Sequence, residues 1–187
     1  MATRGPLQLT LALFKPDITR VPHVVQAIRN RIIQEDFFVV RHKEVRLSRQ
    51  DTEQFYEEHR EKFFYNRLVT FMSSGPSQAL ILAHEDAIKH WRALMGPTKV
   101  YKTKYEAPDT IRGMYGLTDT RNSTHGSGNL SSKSDLILLT YRDFLTCEFF
   151  YYIFILYPVQ SPNLCSSNFK LFVCNIMYTA PPRLTTG

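Results

Sequence analysis

The sequence predicts an α/β fold of the α+β kind: a ferredoxin-like βαββαβ sandwich with a four-stranded antiparallel sheet, helices on its faces and an irregular C-terminal extension. Three observations predict it. Short apolar or alternating runs are separated by stretches of helical spacing, in the order β-α-β-(αα)-β-α-loop-β. No segment repeats another. The composition also shifts near Gly128: all six histidines lie in the first 125 residues, whereas residues 129–187 hold only seven charged side chains but eleven of the 24 aromatics. The chain thus divides into a compact domain over 1–128 and a tail over 129–187.

Each element has its own signal. Leu7–Phe14 (LQLTLALF) is short, apolar and bounded by Pro6 and Pro16, as a buried strand is. Lys15 follows it, where the end of a central strand points a side chain into a crevice. Pro22–Gln34 sets Val24, Val25, Ile28, Ile32 and Ile33 at helical spacing, an amphipathic helix. Phe37–Leu47 is a second strand whose later part alternates polar and apolar residues. Ser48 and Asp51 suit a helix start, and Ser48–His59 and Phe63–Met72 read as two successive helices. Ser73–Pro76 is a turn and Ala79–Ala83 a third strand. Asp86–Met95 is a helix with Ile88, Trp91 and Leu94 on its buried stripe, ended by Gly96-Pro97. Residues 97–111 read as a long irregular stretch, in which Lys99, Lys102 and Lys104 alternate with Tyr101 and Tyr105 as on a solvated loop. Ile111–Thr118 fits more than one state. Asn122–Gly126 makes a short final strand.

Charge narrows the function. The net charge of +6 favours anionic partners, and the basic residues are scattered rather than gathered into a nucleic-acid tail. The first ten residues lack the apolar core of a secretory signal, and three cysteines without metal-type spacing argue against a disulfide framework or zinc. A reducing compartment, cytoplasmic or mitochondrial, is expected. The apolar run Phe149–Val159 is eleven residues long, against the ~20 needed to span a bilayer.

The stretch Thr120–Gly128 (TRNSTHGSG) presents His125 between small and polar neighbours. Alone it reads more readily as an ordinary strand-end histidine than as a nucleophile. A phosphoryl-transferring histidine would need cations for the phosphate oxygens, and Lys15, Arg92 and Arg112 are candidates. It would need an aromatic face for a base, which Phe64 or Tyr56 could offer, and small polar donors such as Thr98 and Asn122. The GxxxxGK[ST] and GxGxxG patterns are absent, as are the HRD and DFG patterns of protein kinases.

These residues fall within an ordered set of motifs: Phe14-Lys15-Pro16-Asp17, Phe55-Tyr56, Phe63-Phe64, Met72–Pro76, Leu94–Thr98, Thr110–Gly113 and Asn122–Ser127. Over roughly residues 8–127 the chain resembles the nucleoside diphosphate kinase family. The resemblance implies that His125 takes the γ-phosphate of ATP and passes it to another nucleoside diphosphate by a ping-pong route. It implies that Lys15, Arg92, Thr98, Arg112 and Asn122 hold phosphates and ribose, and that Phe64 stacks the base with Leu68 lining the slot. Tyr56 and Ser127 take supporting roles. Mg²⁺ is implied on the nucleotide phosphates, with no metal site built from protein ligands alone. Subunit packing through the 97–110 loop is implied too, although that loop is a few residues longer here than in most relatives.

The chain departs from the family after Ser127. The family pattern HGSD is HGSG here, with Gly128 in place of the aspartate. The family's glutamate that orients the histidine ring is matched in spacing by Leu136, with Asp135 beside it. Residues 129–187 carry no family pattern, and an intron-derived tail is one expectation. Two functional readings follow: an active kinase, or a nucleotide-binding or partner-binding module with weak catalysis or none.

Overall fold

The computed structural model describes residues 7–127. Four strands form one antiparallel sheet: β1 (Gln8–Phe14), β2 (Phe38–Val45), β3 (Ser77–His84) and β4 (Thr124–Gly126), in the spatial order β2-β3-β1-β4. That order, with helices between the strands, is the ferredoxin-like arrangement expected. Expectations for residues 129–187 lie outside the described residues.

β1 is central because it is apolar on both faces. Leu11, Ala12, Leu13 and Phe14 are all fully buried, so neither face of the strand meets water. It pairs with β3 from Gln8↔His84 to Phe14↔Gln78, and with β4 through Ala12↔Gly126, Leu13↔His125 and Phe14↔Thr124. β2 is more exposed and carries a bulge between Val39 and Arg41.

Helix α1 (Pro16–Thr19) is one turn, started by the proline that follows Lys15. Helix α2 (Pro22–Gln34) has the expected bounds and buries Val25, Ile28 and Ile32. Ile33, placed on the same stripe by spacing, is instead 64% exposed, because the stripe centres one residue earlier. Helix α5 (Ala87–Met95) buries Ala87, Trp91, Leu94 and Met95, leaving Ile88 half-buried. These helices meet Ala12, Phe14, Leu80 and Leu82 in one hydrophobic cluster. Leu11, Leu13, Ala79 and Ile81, at the alternate positions, are buried as well.

Between β2 and β3 stand α3 (Arg49–Phe55), a 3₁₀ turn (Glu57–His59) and α4 (Tyr65–Met72). Ser48 and Asp51 form a reciprocal capping box at the start of α3. Tyr65 donates its hydroxyl to the Glu53 carbonyl at 3.2 Å, tying α4 to α3.

Two further expectations need correction. Residues 97–111 are not irregular: α6 (Val100–Glu106) occupies most of them and α7 (Ile111–Tyr115) follows. Helix α6 buries only Val100 and Thr103, too few for an apolar stripe to show. It is held from outside by Asp119, whose Oδ1 accepts from the Val100 N–H at 3.0 Å. Tyr101 and Tyr105 therefore lie one helical turn apart on an exposed face, with ring centroids 5.8 Å apart. The final strand starts at Thr124 rather than Asn122, because Ser123 has a φ of +70° and cannot continue a strand.

Candidate active site

The site forms where β1 ends beside β4. Lys15, one residue past β1, is buried at 4% exposure. Its Nζ donates to Asn122 Oδ1 at 2.6 Å and to the Thr120 carbonyl at 3.4 Å. Burial and the nearby Arg112 guanidinium push the amine down to about 7, partly offset by Asp17. An ammonium held this way releases its proton near neutrality unless an anion arrives beside it.

The segment before the histidine is a tight turn. Thr124 N–H donates to the Asn122 carbonyl at 2.7 Å across Ser123, whose positive φ gives a γ-turn of the strained kind. The backbone around Lys15 holds that turn. Lys15 N–H donates to the Ser123 carbonyl at 2.9 Å, and Ser123 N–H donates to Asp17 Oδ2 at 3.0 Å. Burial holds the Asp17 carboxyl above the usual range, against the pull of the Ser123 amide and Lys15. Two segments more than a hundred residues apart are thereby fixed against one another.

His125 follows on β4 and is half-buried. Its ring lies edge-on to Phe55 at 5.2 Å and perpendicular to Tyr56 at 6.1 Å. Burial, followed by the charges of Lys15, Arg112, His59 and Arg92, pushes its proton affinity down to about 3. The imidazole is therefore neutral at pH 7 with a free nitrogen lone pair, the form that acts as a nucleophile. Trp91 Nε1 donates to the His125 carbonyl at 3.4 Å, which anchors the strand rather than the ring.

Arg112, on α7, is 8% exposed. Its Nη1 donates to the Gly96 carbonyl at 2.7 Å and its Nη2 to the Thr124 carbonyl at 3.0 Å. Thr98 Oγ1 is a longer partner at 3.5 Å, and Nε is buried without one. Burial and the neighbouring Arg92 push the guanidinium down to about 10. Gly96, whose carbonyl accepts from Arg112, has a φ of +80°, and a Cβ there would meet Thr110 Oγ1 at 2.3 Å. A cavity of about 410 Å³ opens beside these residues, lined by Arg92, Thr98, Thr110 and Arg112 among others.

The opposite wall is aromatic. Tyr56 is buried, and its hydroxyl has no hydrogen-bond partner; burial pushes the phenol's affinity for its proton strongly up. It does not bond Lys15 in this structure. Phe64 precedes α4 and is half-buried; Leu68 is buried one turn later. His59 stands between Tyr56 and Phe64, stacked on the first at 6.2 Å and edge-on to the second at 5.8 Å.

Lys15, Thr98, Arg112 and Asn122 are thus joined by one set of contacts, with His125 and Arg92 within electrostatic reach and Tyr56 against the histidine. Ser127 is spent on the sheet: its Oγ accepts from the Leu11 N–H and pairs with the Thr10 hydroxyl, both at 3.3 Å, fastening β4 to β1. Sequence reasoning missed Thr120, which acts through its backbone carbonyl, and Asp17, which stood in the lysine motif without an assigned task. It also missed Phe55 and His59, whose parts depend on ring geometry that spacing does not reveal.

A neutral nucleophile ringed by cations suits an electrophile that brings its own negative charge, and the chemistry is that of a phosphotransferase. The chain belongs to the nucleoside diphosphate kinase family, whose model, described as nucleoside diphosphate kinase, matches residues 8–144. It is 51% identical over 145 residues to nucleoside diphosphate kinase 6 of Xenopus tropicalis, covering 78% of this chain and 81% of that protein. It is 51% identical over 138 residues to nucleoside diphosphate kinase 6 of Homo sapiens, covering 74% of each. Among solved structures, the nucleoside diphosphate kinase of Aquifex aeolicus superposes with a TM-score of 0.65 at 34% identity, over 71% of this chain and 93% of that one. The enzyme of Halobacterium salinarum in complex with CDP gives 0.64 at 31% identity, over 73% and 88%.

Proposed function

We propose that the chain transfers the γ-phosphoryl group of ATP to other nucleoside diphosphates through a phosphohistidine. The neutral His125 nitrogen attacks the γ-phosphorus, an N–P bond forms, and the P–O bond to ADP breaks. ADP leaves. A terminal oxygen of the second diphosphate then attacks the same phosphorus, and the N–P bond breaks to restore His125. Lys15, Arg92 and Arg112 hold the phosphate oxygens, Thr98 and Asn122 add polar contacts, and Phe64 with Leu68 takes the base. Tyr56 backs the His125 ring, and Ser127 supports it by fastening β4 to β1. The observation that carries this reading is the β1–β4 pairing, which brings buried Lys15 and His125 to the same end of the sheet.

Among the described residues, no three His, Cys, Asp or Glu side chains converge as metal ligands. The donor set here is cationic and suits Mg²⁺ that arrives on the nucleotide, where it would neutralise β- and γ-phosphate oxygens. No protein side chain is assigned to the metal.

The experiment is incubation with γ-labelled ATP, followed by GDP. Acid-labile label on the wild type, passed to GTP and absent from His125→Ala, is the expected result, with the variant at least ~10³-fold slower. A second reading, a binding module with weak catalysis or none, is favoured by Gly128 and Leu136, where the family's acidic residues are missing. It predicts nucleotide binding without label on the wild type.

A further inference from the structure

We propose that a groove between α4 and α6, on the outer side of the 117–121 turn, is a second phosphate-binding site that takes the di- or triphosphate chain of a small molecule. It is separate from the site at His125 and does not depend on the kinase reading.

The turn serves two sides. Inward, the Thr120 carbonyl accepts from Lys15 Nζ at 3.4 Å. Outward, Thr120 lines a groove of about 1010 Å³ together with Arg67, Phe71, Tyr101, Lys104 and Arg121. That is room for a small-molecule ligand. The turn is closed on itself: the Leu117 and Thr118 N–H groups donate to the Arg121 carbonyl at 2.8 and 3.2 Å, and the Arg121 N–H donates to Thr118 Oγ1 at 3.0 Å. Its side chains are therefore positioned before a ligand arrives. Arg67 reaches across from α4, and its Nε donates to Thr120 Oγ1 at 3.0 Å. That bond orients the guanidinium and leaves both Nη groups for oxygens of an anion, which a planar fork takes in pairs. The Arg121 guanidinium lies over the Phe71 ring at 5.9 Å, a support that holds the charge without neutralising it. Lys104 enters from α6. No carboxylate among the described residues forms an ion pair with any of the three. The carboxylate in the lining, Asp119, has its Oδ1 on the Val100 N–H. Three like charges around one groove repel one another, and a ligand with several anionic oxygens relieves that repulsion at all three.

Calorimetric titration of the full chain with inorganic pyrophosphate tests this, at fixed ionic strength because exposed charges are screened by salt. Lys15→Met, which removes the amine of the site at His125, is expected to keep binding pyrophosphate through the groove. In that background Lys104→Glu and Arg121→Glu are each expected to weaken pyrophosphate by about tenfold or more, the worth of a charge-assisted hydrogen bond. Lys102→Glu makes the same charge reversal on α6 at an exposed residue outside the groove lining, and is expected to cost less than about threefold. Titration of the Lys15→Met variant with ADP separates the sources of the phosphate chain. Tighter binding than pyrophosphate identifies a nucleotide with its base on the Tyr101 side, and equal binding identifies the phosphates alone; either upholds the site. Three results would overturn it: no pyrophosphate bound by Lys15→Met, binding that Lys104→Glu and Arg121→Glu leave unchanged, or a loss in Lys102→Glu as large as in Lys104→Glu. All of the groove variants change exposed residues, so they are expected to melt with their parent, a check made by circular dichroism. Wild-type protein that takes no label from ATP would remove the kinase reading and leave this site standing.

Discussion

The two walls of the cleft are built on opposite plans. The sheet-end wall is buried and cross-linked: Lys15 bonds Asn122, Arg112 bonds the Gly96 and Thr124 carbonyls, and the Ser123 N–H bonds Asp17. The helical wall of α3, the 3₁₀ turn and α4 meets the cleft with rings, and its contacts there are stacking rather than hydrogen bonds. A phosphoryl group needs donors fixed before it arrives, since reorganising them during reaction raises the barrier. A base that must be accepted whatever its hydrogen-bonding edge needs only a flat surface. On the proposed function, the difference separates where chemistry would be enforced from where variety would be tolerated.

Substitutions on the two walls should therefore fail differently. Lys15→Met is expected to lower turnover by ~10²–10³-fold, measured as GTP formed from ATP and GDP. A loss of less than tenfold would show that the sheet-end wall is not preorganised around this amine. Next in size is Arg112→Ala, which strips a donor from the buried Gly96 and Thr124 carbonyls and should cost ~2–4 kcal/mol in urea melts. The exposed Arg92→Ala should stay within ~0.5 kcal/mol while still slowing the reaction. Equal stability of the two variants would break the distinction between structural and substrate-facing cations.

The Lys15 amine also links stability to pH. Unfolded, it keeps its proton until about 10.5; folded, it loses it near 7. Between those values the unfolded state binds more protons, so its contribution to stability rises with pH, at most ~1.4 kcal/mol per unit. The ligand-free wild type should gain about 2 kcal/mol from pH 7 to 9, and Lys15→Met should flatten that rise. Smallest is Phe64→Ala on the helical wall, expected to weaken nucleotides by ~1–2 kcal/mol, alike for adenine and guanine, with little change in melting. Selective loss of one base would mean that this wall reads edges after all.

The same contrast governs what the sequence reveals. β1, α2 and α5 are legible because each carries its own apolar period, and Ser48 with Asp51 announces α3 locally. Helix α6 is not, because its anchor is Asp119, nineteen residues past Val100. Lys15, Arg112 and Asn122 are legible as side chains of the right chemistry in ordered motifs. The parts of Thr120 and Ser123 are hidden because they act through backbone atoms, which every residue possesses. His59 is hidden because an exposed histidine in the charged run Glu57–Lys62 looks like solvent-facing surface until ring positions are known.

One feature of β4 governs where His125 can stand. Gly126 passes so close to α5 that a Cβ there would lie 2.5 Å from Trp91 Cδ1 and 2.6 Å from the Met95 methyl. If β4 slipped along β1 by one residue in either direction, His125 or Ser127 would take that place opposite Ala12, and neither fits. The indole thus works as a gauge that admits one alignment of the strand. It places His125 opposite Leu13 by refusing every neighbouring frame, so the imidazole is indexed to the sheet by a residue that has no side chain.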